Sequence, residues 1–180
     1  MPGYVALFRG INVGKAKRIA MADLRVLLED LGYTGVKTLL NSGNAIFSAR
    51  AGAPDRMAAR IRAAVAGELG VDALVIIKSD QDLANIIEGN AFGKIATDPS
   101  RLLVAMAGDR KALAALASLA RKDWGEERIH VGRHAAYIWC ARGILESQAV
   151  EALMRAIGGT ATTRNWATLG KIHALMTGGS

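Results

Sequence analysis

Apolar residues along this chain switch between a strand period and a helix period in one order, and that order occurs twice. In the first half, Tyr4 to Phe8 reads as a strand, and Met21, Leu24, Leu27, Leu28 and Leu31 recur at helical spacing up to Gly32. Val36 to Leu40 and Asn44 to Ser48 flank an Asn41-Ser42-Gly43 turn as a hairpin. Pro54 stands at a first helical position, and Met57, Ile61, Val65 and Leu69 repeat every four residues before Gly70. Ala73 to Ile77 is a further strand, and Ser79 or Asp80 caps a short helix carrying Leu83, Ile86 and Ile87 that ends at Gly89.

The second half runs in the same order. Leu102 to Met106 is a strand, Asp109 caps a helix with Leu113, Leu116 and Ala120 inward, and Arg128 to Val131 and Ala136 to Cys140 flank Gly132-Arg133-His134 as a hairpin. Ser147 caps a helix with Val150, Leu153, Met154 and Ile157 inward, Thr160 to Thr163 is a short strand, and Asn165 caps a last helix bearing Trp166, Leu169, Ile172 and Met176. The halves share little residue identity, so the repeat is one of element order. It predicts an α+β protein of two ferredoxin-like βαββαβ subdomains in tandem, each followed by a helix. The expected boundaries are 1–90 for the first subdomain, 91–101 for a linker and 102–180 for the second.

Composition narrows the class. With 51% hydrophobic and 22% charged residues in 180, the chain has the profile of an ordinary soluble globular protein. Charge interrupts every apolar stretch well before about 18 residues, so no membrane span is expected, and the opening strand pattern lacks a signal-peptide apolar region. A cytoplasmic location is therefore expected. The single cysteine, Cys140, excludes an internal disulfide and a cysteine-based metal cluster, and its apolar run Tyr137 to Ala141 suits a buried small hydrophobe. His130, His134 and His173 have no metal-ligand spacing. No acid/base pair or nucleophile stands out, so the sequence assigns no reaction, and it implies no cofactor.

The charge distribution points to a place. Residues 23 to 151 hold sixteen Lys and Arg against sixteen Asp and Glu, while the stretches before and after hold no acid. Arg9, Lys15, Lys17 and Arg18 in the first, with Arg155, Arg164 and Lys171 in the second, equal the whole formal net charge of +7. If the fold joins the two ends, it makes one region that attracts anions. The loop from Arg9 to about Ala20 is long and glycine-bearing where its counterpart in the second half is only Ala107-Gly108-Asp109, which makes it the place for function to be grafted. Its Gly10-Ile11-Asn12-Val13-Gly14 run fails both the dinucleotide and the P-loop spacing, leaving backbone donors near a helix N-terminus as its means of holding an anion.

Two further polar clusters stand out. Asn41-Ser42-Gly43-Asn44 is a polar hairpin tip after an apolar strand, and Thr162-Thr163-Arg164-Asn165-Trp166 joins a strand end to a helix start. The candidate ligand-binding residues are Arg9, Asn12, Lys15, Ser42, Asn44, Thr163, Arg164 and Asn165. Arg56, Arg60 and Arg62 read as a solvated helix surface.

The runs Ala6 to Gly14, Asn41 to Asn44 and Thr163 to Thr168 resemble three signature stretches of the bacterial domain-of-unknown-function family numbered 1697. The resemblance implies a cytoplasmic α+β protein of ferredoxin-like subdomains and carries no activity with it. The expected partner is an anionic small molecule. The alternative is nucleic acid stacked on sheet aromatics, Tyr4 and Phe8 with Phe47 or the Tyr137/Trp139 pair, and a protein partner or structural role is the third reading.

Overall fold

Two four-stranded antiparallel sheets account for the repeated order in the computed structural model, which describes residues 1–178. The first half runs β1 (Gly3–Phe8), α1 (Met21–Asp30), β2 (Thr34–Leu39), β3 (Asn44–Ser48), α2 (Pro54–Leu69), β4 (Val75–Ser79) and α3 (Asp80–Glu88). After a 3-10 turn at Pro99–Arg101 come β5 (Leu102–Ala107), α4 (Arg110–Ala114), α5 (Ala117–Ala120), β6 (Arg128–Val131), β7 (Ala136–Trp139), α6 (Gln148–Ile157), β8 (Ala161–Asn165) and α7 (Trp166–Met176). The sheet orders are β2-β3-β1-β4 and β6-β7-β5-β8, the same ferredoxin-like arrangement twice. The chain divides into two compact units, Met1–Leu83 with residues 172–178, and Ala84–Lys171.

In the first unit the alternation of β1 sends Tyr4, Ala6 and Phe8 towards the helices, where they meet Leu24, Leu28, Phe47, Ile61 and Val65. Val5 and Leu7, on the other face of the strand, are also buried. Burying each of these large side chains stabilises by roughly 1.5–3 kcal/mol, so the strand has no freedom to slip by one residue. Helix α2 has Pro54 at its first position, as expected, and stops at Gly70, whose φ of 69° makes it a left-handed cap. Strand β4 lies two residues beyond the expected 73–77 span. A shift of two preserves the faces, and Ala73, Val75 and Ile77 all reach the core.

In the second unit, Leu103, Ala105 and Ala107 of β5 pack with Leu113, Leu116, Leu119, Ile138 and Leu153. One expected helix proves to be two short ones, α4 and α5, separated at Ala115-Leu116. Its inward residues follow a spacing of three, ending on Leu119 instead of Ala120, which is exposed. A three-residue repeat turns a 3.6-residue helix away from the core, and the chain breaks to keep all three leucines inside. Helix α6 buries Ala149, Leu153 and Ile157, whereas Met154 is exposed and Val150 only half-buried. The stripe is the four-residue row through small Ala149, and residues 150 and 154 fall on the next row round. The expected caps are in place: the Asp109 carboxylate accepts from Ala112 N, Ser147 Oγ from Val150 N, and Asn165 Oδ1 from Thr168 N.

Among the described residues no helix is long and apolar enough to cross a membrane.

Candidate functional site

The loop leaving β1 is built on left-handed backbone. Gly10, Asn12, Gly14 and Lys17 have φ of 69°, 56°, 66° and 51°, so two non-glycine residues occupy a conformation that L side chains rarely adopt. Asn12 makes this tenable. Its amide donates to Ile19 O and to Asn41 O, both at 2.8 Å, and its Oδ1 accepts from Ile19 N at 2.8 Å. Its backbone N–H reaches Lys17 O at 2.9 Å, and Arg18 Nη1 donates to Asn12 O and Gly14 O. Ile11 and Ile19 anchor the loop in the core, leaving Lys15, Lys17 and Arg18 exposed. Helix α1 then starts behind Ala20, with no side chain capping it.

The second motif docks on the first. Phe8 N donates to Gly43 O at 3.0 Å, and Gly43 fits so closely over Phe8 and Ile11 that a Cβ there would stand 2.5 Å from Ile11 Cδ1. Asn44 is fully buried, its amide donating to Leu39 O at 2.7 Å and to Ser42 Oγ at 3.3 Å. The hairpin tip is thus held by Asn44 from inside and by Asn12 from the loop. Ser42 is exposed beside it. Arg9 is half-buried, with its N–H on Leu74 O at 3.0 Å. The carboxylate of Asp72, held by Arg62 through bonds of 2.6 and 3.0 Å, also feels Lys17, and these cations keep it below the usual carboxylate range.

The third motif belongs to the other unit. Arg164 is only 7% exposed, on the β8 face opposite the helices, and its Nη1 donates to Thr162 Oγ1 and Thr163 O, both at 2.8 Å. Burial pulls its guanidinium down to about 10, which still leaves it protonated at neutral pH. Asn165 spends its side chain capping α7. Of the other C-terminal cations, Arg155 pairs with Glu151 on α6. The C-terminal charge therefore adds less to an exposed positive surface than the sequence suggests.

The family model described as "Protein of unknown function (DUF1697)" matches residues 1–137, which include the loop and the hairpin tip. This chain belongs to the DUF1697 family. The match ends before β8, so the Thr162–Trp166 segment lies outside it. Among solved structures, the conserved bacterial protein SP0830 from Streptococcus pneumoniae superposes with a TM-score of 0.76 at 20% identity, covering 97% of this chain and 98% of its own, which shows a shared fold. A putative chlorite dismutase, TA0507, aligns at a TM-score of 0.25 and 13% identity over 98% of this chain and 100% of its own, too weakly to carry an argument. No curated protein matches the sequence.

In this DUF1697 chain the aromatics of the first sheet do not make a stacking platform. Tyr4, Phe8 and Phe47 are buried in the helix-covered core of the first unit, with the Tyr4 and Phe47 rings 5.9 Å apart. Tyr137 is buried too and donates its hydroxyl to Ile86 O. Strand alternation puts Tyr4, Phe8 and Phe47 on the helix-covered face of the first sheet, whereas Tyr137 and the half-buried Trp139 alternate with Ala136, Ile138 and Cys140 and lie on the face of β7 away from the second unit's helix-packed core. Cys140 is fully buried; burial pushes its thiol up to about 11, so it is no nucleophile at neutral pH. Among the described residues no group of three His, Cys, Asp or Glu side chains is placed to hold a metal ion.

Proposed function

We propose that this protein binds a small molecule bearing phosphate or carboxylate through the loop between β1 and α1. One observation carries the reading: left-handed residues at Gly10, Asn12 and Gly14 alternate with residues of ordinary φ, beside three exposed cations. Successive residues of opposite handedness turn neighbouring N–H groups towards one concavity, which favours an anion. The uncapped start of α1 adds further donors at the positive end of its dipole. In this reading Lys15, Lys17 and Arg18 supply charge, the Ser42 hydroxyl supplies a donor at the neighbouring tip, and Asn12 and Asn44 hold the shape. Arg164 is not required. This is a narrower site than the charge of the two chain ends suggests.

The test is a titration of the 15N-labelled protein with inorganic pyrophosphate and, separately, with a dicarboxylate, following backbone amide shifts. The expected result is saturable movement of the Gly10 to Gly14 amides, weakened roughly tenfold or more in Lys15→Gln/Lys17→Gln, as loss of charge-assisted hydrogen bonds implies. Loop amides that do not move would sink the proposal. Binding confined to oligonucleotides, fading steeply with salt, would replace the small anion with nucleic acid.

A further inference from the structure

The first unit holds another basic feature, at the opposite end of β1 from this loop. Gly3 faces Ser48 at one end of the β1–β3 ladder and Leu7 faces Asn44 at the other, a separation of about 13 Å along the strand. Beyond the Ser48 end lies a cavity of about 440 Å³, lined among others by Tyr33, Arg50, Ala53, Arg56, Met57 and Arg60. Arg50 comes from the segment after β3, and Arg56 and Arg60 lie one turn apart on α2. Among the described residues none of these three pairs with a carboxylate, whereas Arg25, Arg62, Arg101, Arg142 and Arg155 each do. Like charges one turn apart weaken a helix, and a third cation brought to the same cavity adds to the repulsion.

Part of the cavity wall is anchored to the core. The Arg60 guanidinium lies over the Tyr33 ring, 5.7 Å from its centroid, and that ring packs 4.4 Å from Phe47 in the buried core. One face of the Arg60 guanidinium is thereby turned to the ring. Gly52 N donates to the Tyr4 hydroxyl at 3.3 Å, which ties the 50–53 segment to the same core. Ala53 stands at the α2 cap and brings no side-chain acceptor to the first turn. Asp55, the acid of that turn, is not among the cavity's lining residues.

We propose that this cavity binds a phosphorylated small molecule with a compact, partly apolar body. Guanidinium forks match phosphate oxygens in pairs, and three of them suit a doubly charged phosphate better than a single carboxylate. Met57 and Ala49 offer apolar contact for the remainder of the ligand, and the volume lies within the ordinary range for small-molecule sites. The site is independent of the β1–α1 loop.

Calorimetric titration of the full chain at low salt with inorganic phosphate, pyrophosphate, a nucleoside monophosphate and citrate tests this. The expected result is a saturable binding component, tightest for the organic phosphate, that is weakened roughly tenfold or more in Arg56→Gln/Arg60→Gln and in Arg50→Gln and is retained in Lys15→Gln/Lys17→Gln, which removes only the loop's own component. Circular dichroism confirms that each variant keeps its fold. Citrate binding as tightly as the organic phosphate would overturn the phosphate assignment. Absence of saturable binding, or binding lost with the loop lysines and kept without the arginines, would overturn the site, and the latter outcome would leave the loop proposal standing.

Discussion

Replacing Gly43 with alanine should be among the most damaging single-atom additions available to this chain. Gly43 has φ of 92°, and a Cβ there would meet Ile11 Cδ1 at 2.5 Å, Phe8 Cβ at 2.8 Å and Ile11 Cγ1 at 2.9 Å. A left-handed alanine costs roughly 1–2 kcal/mol. Overpacking adds about 1–3 kcal/mol, towards the upper end here because Phe8 Cβ is fixed to a central strand and cannot swing aside. The expected loss is therefore roughly 2–5 kcal/mol, a large part of the ~5–15 kcal/mol that holds a domain together. Urea unfolding followed by circular dichroism measures it. The control is Gly67→Ala in α2, where a Cβ meets nothing within 4 Å and φ is not left-handed; this substitution should stabilise by about 0.5–1 kcal/mol. Ile11→Val removes only the Cδ1 atom, so it should offset part of the Gly43→Ala loss, and a double-mutant cycle reads that coupling. A Gly43→Ala protein within about 1 kcal/mol of the parent would refute the argument, since the strain alone is set at that level.

Two further changes probe the candidate site and the second core. Asn12→Ala removes three side-chain hydrogen bonds and places alanine at positive φ, so it should cost roughly 2–4 kcal/mol and raise hydrogen exchange at the Ile19 amide, measured by NMR. For Cys140 the folded thiol titrates near 11 against a usual value of 9.0, so its stabilising effect is full below pH 9 and is lost as pH rises towards 11. Between pH 9 and 10 the loss amounts to about 1 kcal/mol. Urea midpoints taken across that interval should fall less in Cys140→Ala than in the parent, and equal slopes would refute the assignment.

The fold was legible because its signals are local and each has a mechanical reason. Strand β3 was expected at Asn44 to Ser48 and lies there, and Pro54, Gly70, Asp109, Ser147 and Asn165 mark helix ends by their own backbone and side-chain chemistry. Errors arose where packing selected among registers that the pattern allowed. Leu113, Leu116 and Leu119 satisfy the core only if the helix breaks, and Ala149 is chosen over Val150 and Met154 by the space beneath α6. The charged loop and the polar hairpin tip were each legible, but the sequence joined the loop to residues 162–166 as the expected site, and the parts played by individual residues were not legible. Asn12 and Asn44 look like ligand contacts in a sequence, yet their amides are directed at the chain's own carbonyls.

By itself, then, the sequence determined the order of elements apart from the break between α4 and α5, most helix ends, the two sheets and the length and charge of the loop after β1, because periodicity, caps and glycines act over a few residues. Only the tertiary structure decided that Tyr4, Phe8 and Phe47 are enclosed, that Arg164 is buried on hydrogen bonds to Thr162 and Thr163, and that Arg50 joins Arg56 and Arg60 around one cavity. Burial and convergence depend on which distant segments share a space, and residues as far apart as Tyr33 and Arg60 meet only once the sheet and helices have packed.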